Sequence, residues 1–119
     1  MPVMALFRST AVDQSRYDAI IQELDLERQP LRGILTHACG FDGNEICVVD
    51  VWDSREEFEA FLSDRLRPAF AKLNIDFSEP RIIETYAFSA SEDVDRFKAE
   101  RGPSFGTAAA DEPGLGPAH

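Results

Sequence analysis

The first third of the chain contains a short apolar run followed by an amphipathic stretch. Residues 3–9 open with five apolar positions, too few for a helix, and then turn polar, which predicts a first strand. Asp13 is a suitable helix N-cap. Apolar residues then recur at i, i+3, i+4 and i+7 from Tyr17 to Leu24, with polar residues on the opposite side. This spacing predicts an amphipathic helix ending near Asp25.

Two β-rich stretches follow, at residues 34–40 and 45–52. A proline at position 30 and Gly33 mark the connection into the first of them. The segment between the two stretches contains Asp42-Gly43, and Asp-Gly between such runs is a strong hairpin signal. The pattern therefore predicts two antiparallel strands.

A second helix is predicted from a capping box, in which the Ser54 side chain accepts from the amide of Glu57 and the Glu57 side chain accepts from the amide of Ser54. Its apolar face comprises Phe58, Phe61, Leu62, Leu66, Ala69, Phe70 and Leu73. Pro68 lacks a backbone donor and clashes with the preceding turn, so a kink or break is expected near Arg67. Residues 81–88 are again β-rich and predict a fourth strand.

The resulting order is β-α-β-β-α-β over residues 1–90, which is the α+β, ferredoxin-like arrangement of two helices on one face of a four-stranded antiparallel sheet. The predicted strands are apolar on both faces, as Leu35, Val49 and Ile83 illustrate, so the sheet face without helices would be a bare apolar surface. A second copy stacked on the bare face would remove it from water, so a homodimer is expected. In the alternative, the C-terminal segment covers this face. Residues 91–119 are interpreted as an extension with a short helix and a flexible tail.

Composition narrows the function classes. The 119 residues carry a formal net charge of −10 and scattered basic residues, which disfavours nucleic acid as a partner. The apolar runs are too short to span a membrane, and the N-terminus lacks the pattern of a signal peptide, so a cytoplasmic protein is expected. Cys39 and Cys47 do not lie in a cluster with metal-ligand spacing, so no metal site is expected.

One stretch resembles a known family. Residues 48–61, VVDVWDSREEFEAF, are similar to the strand-to-helix junction of the dimeric α/β-barrel superfamily, in particular to antibiotic biosynthesis monooxygenase domains. The resemblance extends over residues 1–90 and is supported by Tyr17, Pro30, Gly33, His37 and residues 66–69. It implies a dimeric α/β barrel. The superfamily includes cofactor-independent oxygenases, haem-degrading enzymes, small isomerases and decarboxylases, and proteins without known activity.

The histidines argue against haem. Haem-degrading relatives supply an axial histidine from near the second helix, whereas residues 57–74 contain none. The chain has two histidines, His37 and His119. Haem is therefore disfavoured, and the resemblance to cofactor-independent oxygenases implies no cofactor.

His37 is the candidate catalytic base, because imidazole titrates near neutrality and this is the sole histidine inside the predicted fold. The alternative is a hydrogen-bonded structural histidine. Asp50 is an acid within an apolar strand and is a candidate second base. An exposed edge position, or an ion pair with Arg8 or Arg81, would explain it equally well.

Aromatic residues are the candidate walls of a pocket between helices and sheet. Trp52 offers a flat surface and an N–H for a substrate oxygen, with a core anchor as the alternative. Tyr17, Phe58 and Phe61 are the candidate substrate-binding residues, although a tyrosine on an apolar helix face is more often a packing residue.

Hairpin register decides whether these groups meet. A two-residue turn at Asp42-Gly43 places His37 opposite Val48, on the face that carries Asp50 and Trp52. A three-residue loop shifts the pairing by one residue and moves His37 to the other face. The first arrangement is preferred. The resemblance implies a dimer that binds a small apolar or aromatic molecule and acts as a cofactor-independent monooxygenase on a phenolic or polyketide-like substrate; this register would assemble its site. The alternatives are a non-catalytic ligand-binding or accessory protein, and an isomerase or decarboxylase using His37.

Overall fold

The computed structural model describes residues 1–97 and shows a four-stranded antiparallel sheet in the order β2-β3-β1-β4. The elements are β1 (Val3–Ser9), α1 (Gln14–Leu24), β2 (Ile34–Asp42), β3 (Glu45–Trp52), α2 (Arg55–Phe61), α3 (Arg67–Lys72), β4 (Arg81–Glu84) and a 3₁₀ helix (Glu92–Phe97). This order confirms the predicted α+β, ferredoxin-like fold. Across the described part of the chain, no helix is long and apolar enough to cross a membrane.

Helix α1 begins and ends with polar interactions. The Asp13 carboxylate accepts a hydrogen bond from the Arg16 amide at 2.8 Å, as expected of an N-cap. Asp25 adopts a left-handed conformation with φ 53°, which ends the helix. The guanidinium of Arg65, from the second helical segment, donates to the Leu24 carbonyl at 2.6 Å. This last hydrogen bond fixes the end of α1 against the second helical segment.

The second helical segment is interrupted where Pro68 predicts a break. Ser54 Oγ accepts from the Glu57 amide and caps α2. A π-helical turn at Leu62–Leu66 then joins α2 to α3, and the Arg67 amide donates to the Leu62 carbonyl, five residues back. Since a proline ring clashes with the carbonyl four residues before it, the wider turn accommodates Pro68 without ending the segment.

The β2–β3 hairpin has a register that differs from the preferred prediction. Asp42 pairs with Glu45 around a two-residue turn that starts at Gly43, whose φ is +61°. His37 consequently lies opposite Asp50 instead of Val48, a shift of two residues. Because side chains alternate with a period of two, this shift keeps His37 on the predicted face. Strand β4 is also shorter than predicted and covers residues 81–84 instead of 81–88.

The two faces of the sheet have different surroundings. The helix-facing side contributes Val3, Ala5, Ile46 and Trp52 to the main core, together with Phe58 and other residues of the helices. The opposite face is also apolar, with Met4, Leu6, Cys47, Val49 and Ile83. Val49 is 40% exposed there. The homodimer stays a prediction, and the expected flexible tail at residues 102–119 lies outside the described residues.

Candidate functional site

His37 and Asp50 form a hydrogen-bonded pair on the helix-facing side of the sheet. They are direct cross-strand partners on β2 and β3, and His37 Nδ1 lies 2.7 Å from Asp50 Oδ1. Their side chains are only 12% and 11% exposed. The carboxylate of Asp50 is therefore partnered by the histidine, while Arg8 pairs with Glu45 and Asp42 near the hairpin turn.

Trp52 lies behind this pair. It is completely buried, and its indole N–H donates to Asp50 Oδ2 at 3.2 Å. Its ring packs against Phe58 and Phe61, with centroid distances of 5.3 and 5.1 Å. The structure thus places Trp52 as a support for Asp50, with its N–H directed at the carboxylate.

Tyr17, on α1, contacts the other side of His37. Its hydroxyl lies 2.8 Å from His37 Nε2, and the two rings are nearly parallel, at an interplanar angle of 13°. Burial raises the pKa of Tyr17, and the nearby Cys39 and Asp50 raise it further. The Tyr17 hydroxyl therefore keeps its proton at physiological pH. Burial, followed by Asp50, also raises the pKa of the Cys39 thiol.

The hydrogen bonds define the tautomer of His37. An Asp50 carboxylate is an acceptor only, so His37 Nδ1 carries the hydrogen that it donates. In the neutral imidazole, Nε2 then has a lone pair and accepts from the Tyr17 hydroxyl. Tyr17, His37 and Asp50 consequently form a directional donor chain, which we call the Tyr17–His37–Asp50 chain. Such a chain is suited to delivering a proton to His37, whose imidazolium form the Asp50 carboxylate then stabilises.

An apolar cavity of about 80 Å³ lies between the helices and the sheet beside this chain. Tyr17, His37 and Asp50 line one part of it, and Phe58 and Phe61 line another. The remaining wall is apolar and includes Val12, Ile20, Leu31, Val48, Leu66 and Pro80. The cavity therefore combines one titratable wall with surroundings that exclude water.

The structure brings all six predicted site residues into one region of the fold. Five line the cavity, and Trp52 contacts it indirectly through Asp50 and the two phenylalanines. The sequence reasoning missed wall residues from loops, such as Val12, Leu31 and Pro80, because they belong to no periodic pattern. Within residues 1–97, no group of three His, Cys, Asp or Glu side chains is placed to hold a metal ion.

Comparisons with solved structures place this fold beside two similar proteins. One, from Chloroflexus aurantiacus J-10-fl, is provisionally named an antibiotic biosynthesis monooxygenase. It is 23% identical to this chain and matches it with a TM-score of 0.54, over 76% of this chain and 98% of the Chloroflexus chain. The other, of unknown function, from Nitrosomonas europaea, is 17% identical, with a TM-score of 0.50, over 76% and 91%. No family model and no curated protein matches the sequence. The structural likeness confirms the fold resemblance inferred from the sequence.

Proposed function

We propose that this protein is a dimeric, small-molecule-binding, cofactor-independent monooxygenase that acts on a phenolic or polyketide-like substrate. The observation that carries the proposal is the Tyr17–His37–Asp50 chain on the wall of an otherwise apolar cavity. His37, supported by the Asp50 carboxylate, is the base that holds the proton removed from the substrate. The fold of the Chloroflexus protein agrees with this class of activity.

The chemistry resides mainly in the substrate. Removal of a proton from a phenol or an activated methylene gives an electron-rich anion, which reduces dioxygen and forms a carbon–oxygen bond. Loss of water from the resulting hydroperoxide leaves a carbonyl group. One oxygen atom enters the product, the other leaves as water, and the methylene supplies all four electrons. The apolar cavity favours this sequence because it keeps water from the anion.

The size of the cavity limits the substrate. An apolar cavity of about 150 Å³ accommodates benzene in another protein, whereas this cavity measures about 80 Å³. Since this is about half that volume, even a one-ring substrate requires the walls of the cavity to move outward, and larger ring systems require more movement. The net charge of −10 further disfavours anionic substrates.

Oxygen uptake tests the activity. The full chain is supplied with neutral compounds that carry an activated methylene, from one-ring phenylacetone to three-ring anthrone, and dissolved oxygen is followed. We expect uptake with the one-ring compound and its loss in His37→Ala, whereas Asp53→Asn, at an exposed position outside the chain of hydrogen bonds, retains it. Binding without turnover would indicate a ligand-binding protein, and conversion without oxygen an isomerase or decarboxylase.

The dimer is tested separately. A lysine at Val49 would place a charge in the centre of the apolar sheet face, so Val49→Lys is expected to give a monomer by analytical ultracentrifugation. Val94→Lys is the matched control, since Val94 is equally exposed, at 42%, but lies on the 3₁₀ helix. A monomeric wild type at micromolar concentration would refute the proposed assembly.

A further inference from the structure

Both ring nitrogens of His37 are occupied by protein groups. Nδ1 faces Asp50 at 2.7 Å, and Nε2 faces the Tyr17 hydroxyl at 2.8 Å. A substrate proton can reach Nε2 directly only if the Tyr17 hydroxyl first moves away. Tyr17 and His37 both line the cavity, but only the Tyr17 oxygen has acceptor capacity for a second hydrogen bond.

We propose that Tyr17, rather than His37, meets the acidic hydrogen of the substrate and acts as a proton relay. This inference rests on the proposed function and specifies how its base is reached. In one concerted step the substrate C–H or O–H bond breaks and its proton forms a new O–H bond on Tyr17. The original Tyr17 proton moves to His37 Nε2. The products are the substrate anion, a neutral tyrosine and an imidazolium paired with the Asp50 carboxylate.

Three features of the site support a relay. The Tyr17 ring is held nearly parallel to His37, so its hydroxyl is aligned with Nε2 before any ligand binds. Burial, followed by the nearby Cys39, Asp50 and Asp18, raises the pKa of Tyr17 and disfavours a tyrosinate, so the hydroxyl stays a neutral donor. After transfer, the same hydroxyl donates to the substrate anion and stabilises it in the water-excluding cavity.

Anaerobic hydrogen exchange tests the relay without requiring oxygen chemistry. The full chain is incubated in D₂O with phenylacetone, and loss of the methylene protons is followed by NMR. Tyr17→Phe keeps the ring and deletes the hydroxyl; we expect kcat for exchange to fall by about 100-fold or more, with KM within about threefold. Tyr86→Phe is the matched control, because Tyr86 is the other tyrosine of the chain and is fully exposed. It should exchange like the wild type.

A second measurement separates a relay from a packing role. In the Tyr86→Phe background, biosynthetic incorporation of fluorotyrosine labels position 17 alone, since the chain has two tyrosines. Fluorine makes the phenol more acidic and retains the hydroxyl. A relay predicts that the exchange rate and its pH profile change with this acidity, whereas a packing role predicts no change in either.

The outcomes distinguish the two proposals. Exchange in Tyr17→Phe at or above the wild-type rate would overturn the relay, because His37 would then take the proton directly, and would leave the oxygenase proposal intact. Tyr17-dependent exchange without oxygen uptake would refute the oxygenase and retain the relay. A fluorotyrosine protein with an unchanged rate, or a wild type that exchanges no hydrogen of phenylacetone, would also overturn the relay.

Discussion

Asp50→Asn would alter the candidate site with almost no change in shape. The carboxylate accepts from His37 Nδ1 and from the indole N–H of Trp52, one through each oxygen. An asparagine has one acceptor oxygen, and its amide group would face one of these two donors. If the oxygen stays with Trp52, the imidazole must change tautomer so that Nδ1 accepts from the amide. Nε2 then carries a hydrogen and loses its ability to accept from Tyr17.

The size of the effect follows from burial. Asp50 is 8% exposed, so water cannot fully replace the lost hydrogen bond. Hydrogen bonds to charged groups contribute about 1.5–3 kcal/mol, and we expect a loss of similar size in the free energy of unfolding. The tautomer change should also abolish most activity; the same substitution behind a catalytic histidine in a serine protease costs about 10⁴-fold in kcat.

NMR of ¹⁵N-labelled imidazoles gives the tautomer directly, since the chain has two histidines and the signals of His37 are assigned by their loss in His37→Ala. Urea denaturation gives the stability. Asp53→Asn is the control because it makes the same change of charge at an exposed residue of the β3–α2 connection. If His37 keeps its hydrogen on Nδ1 in Asp50→Asn, and stability changes no more than in the control, the proposed hydrogen-bond chain is wrong.

Three further predictions concern stability. The raised pKa of Tyr17 means that the folded state holds this proton more tightly than the unfolded state does, so the resulting contribution to the free energy of unfolding is complete below about pH 10 and is lost as the pH rises above that value. Tyr17→Phe should therefore flatten the alkaline fall in stability measured by urea denaturation. An unchanged slope would contradict this. Gly33→Ala should lower the free energy of unfolding by about 1–3 kcal/mol in the same assay, since Gly33 has φ +90° and a Cβ there would lie 2.6 Å from the Glu57 carboxylate. Gly40→Ala is the control, because the space around Gly40 is open; a loss as large as that of Gly33→Ala would contradict the prediction. Thr85→Val should leave stability unchanged or raise it by up to about 1 kcal/mol, because the Thr85 hydroxyl is buried without a hydrogen-bond partner among residues 1–97; a lower thermal midpoint would show that the hydroxyl has one.

The sequence was sufficient for the order of the strands and helices. The β-rich composition of residues 45–52 and the helical spacing from Tyr17 to Leu24 are strong local signals, so these two elements agree with the structure, whereas β4 is shorter than predicted. Register was harder to predict. Both Asp42 and Gly43 are typical turn residues, and the chain uses Gly43 as the first turn position instead of the second.

The contacts within the candidate site could be predicted only in part. The predicted and observed hairpin registers differ by two residues, so the preferred prediction places His37 on the correct face. The direct pairing of His37 with Asp50 follows only from the observed register. The hydrogen bond between Tyr17 and His37 depends on the distance between a helix and a sheet, which the apolar pattern of either element does not define. The role of Trp52 was similarly hidden, since an indole N–H can serve a ligand or a neighbouring carboxylate equally well.

The π-helical turn has a consequence for sequence variation in this segment. Leu62–Leu66 contains one residue more than a regular α-helix would use, so a single-residue deletion there could restore regular geometry. Because the wider turn takes up this extra residue, Ala69 and Phe70 would still face the core in which both are now buried. The regular geometry would, however, bring back the clash between the proline ring and the carbonyl four residues before it. Homologues that lack the extra residue are therefore expected to lack a proline at the position of Pro68.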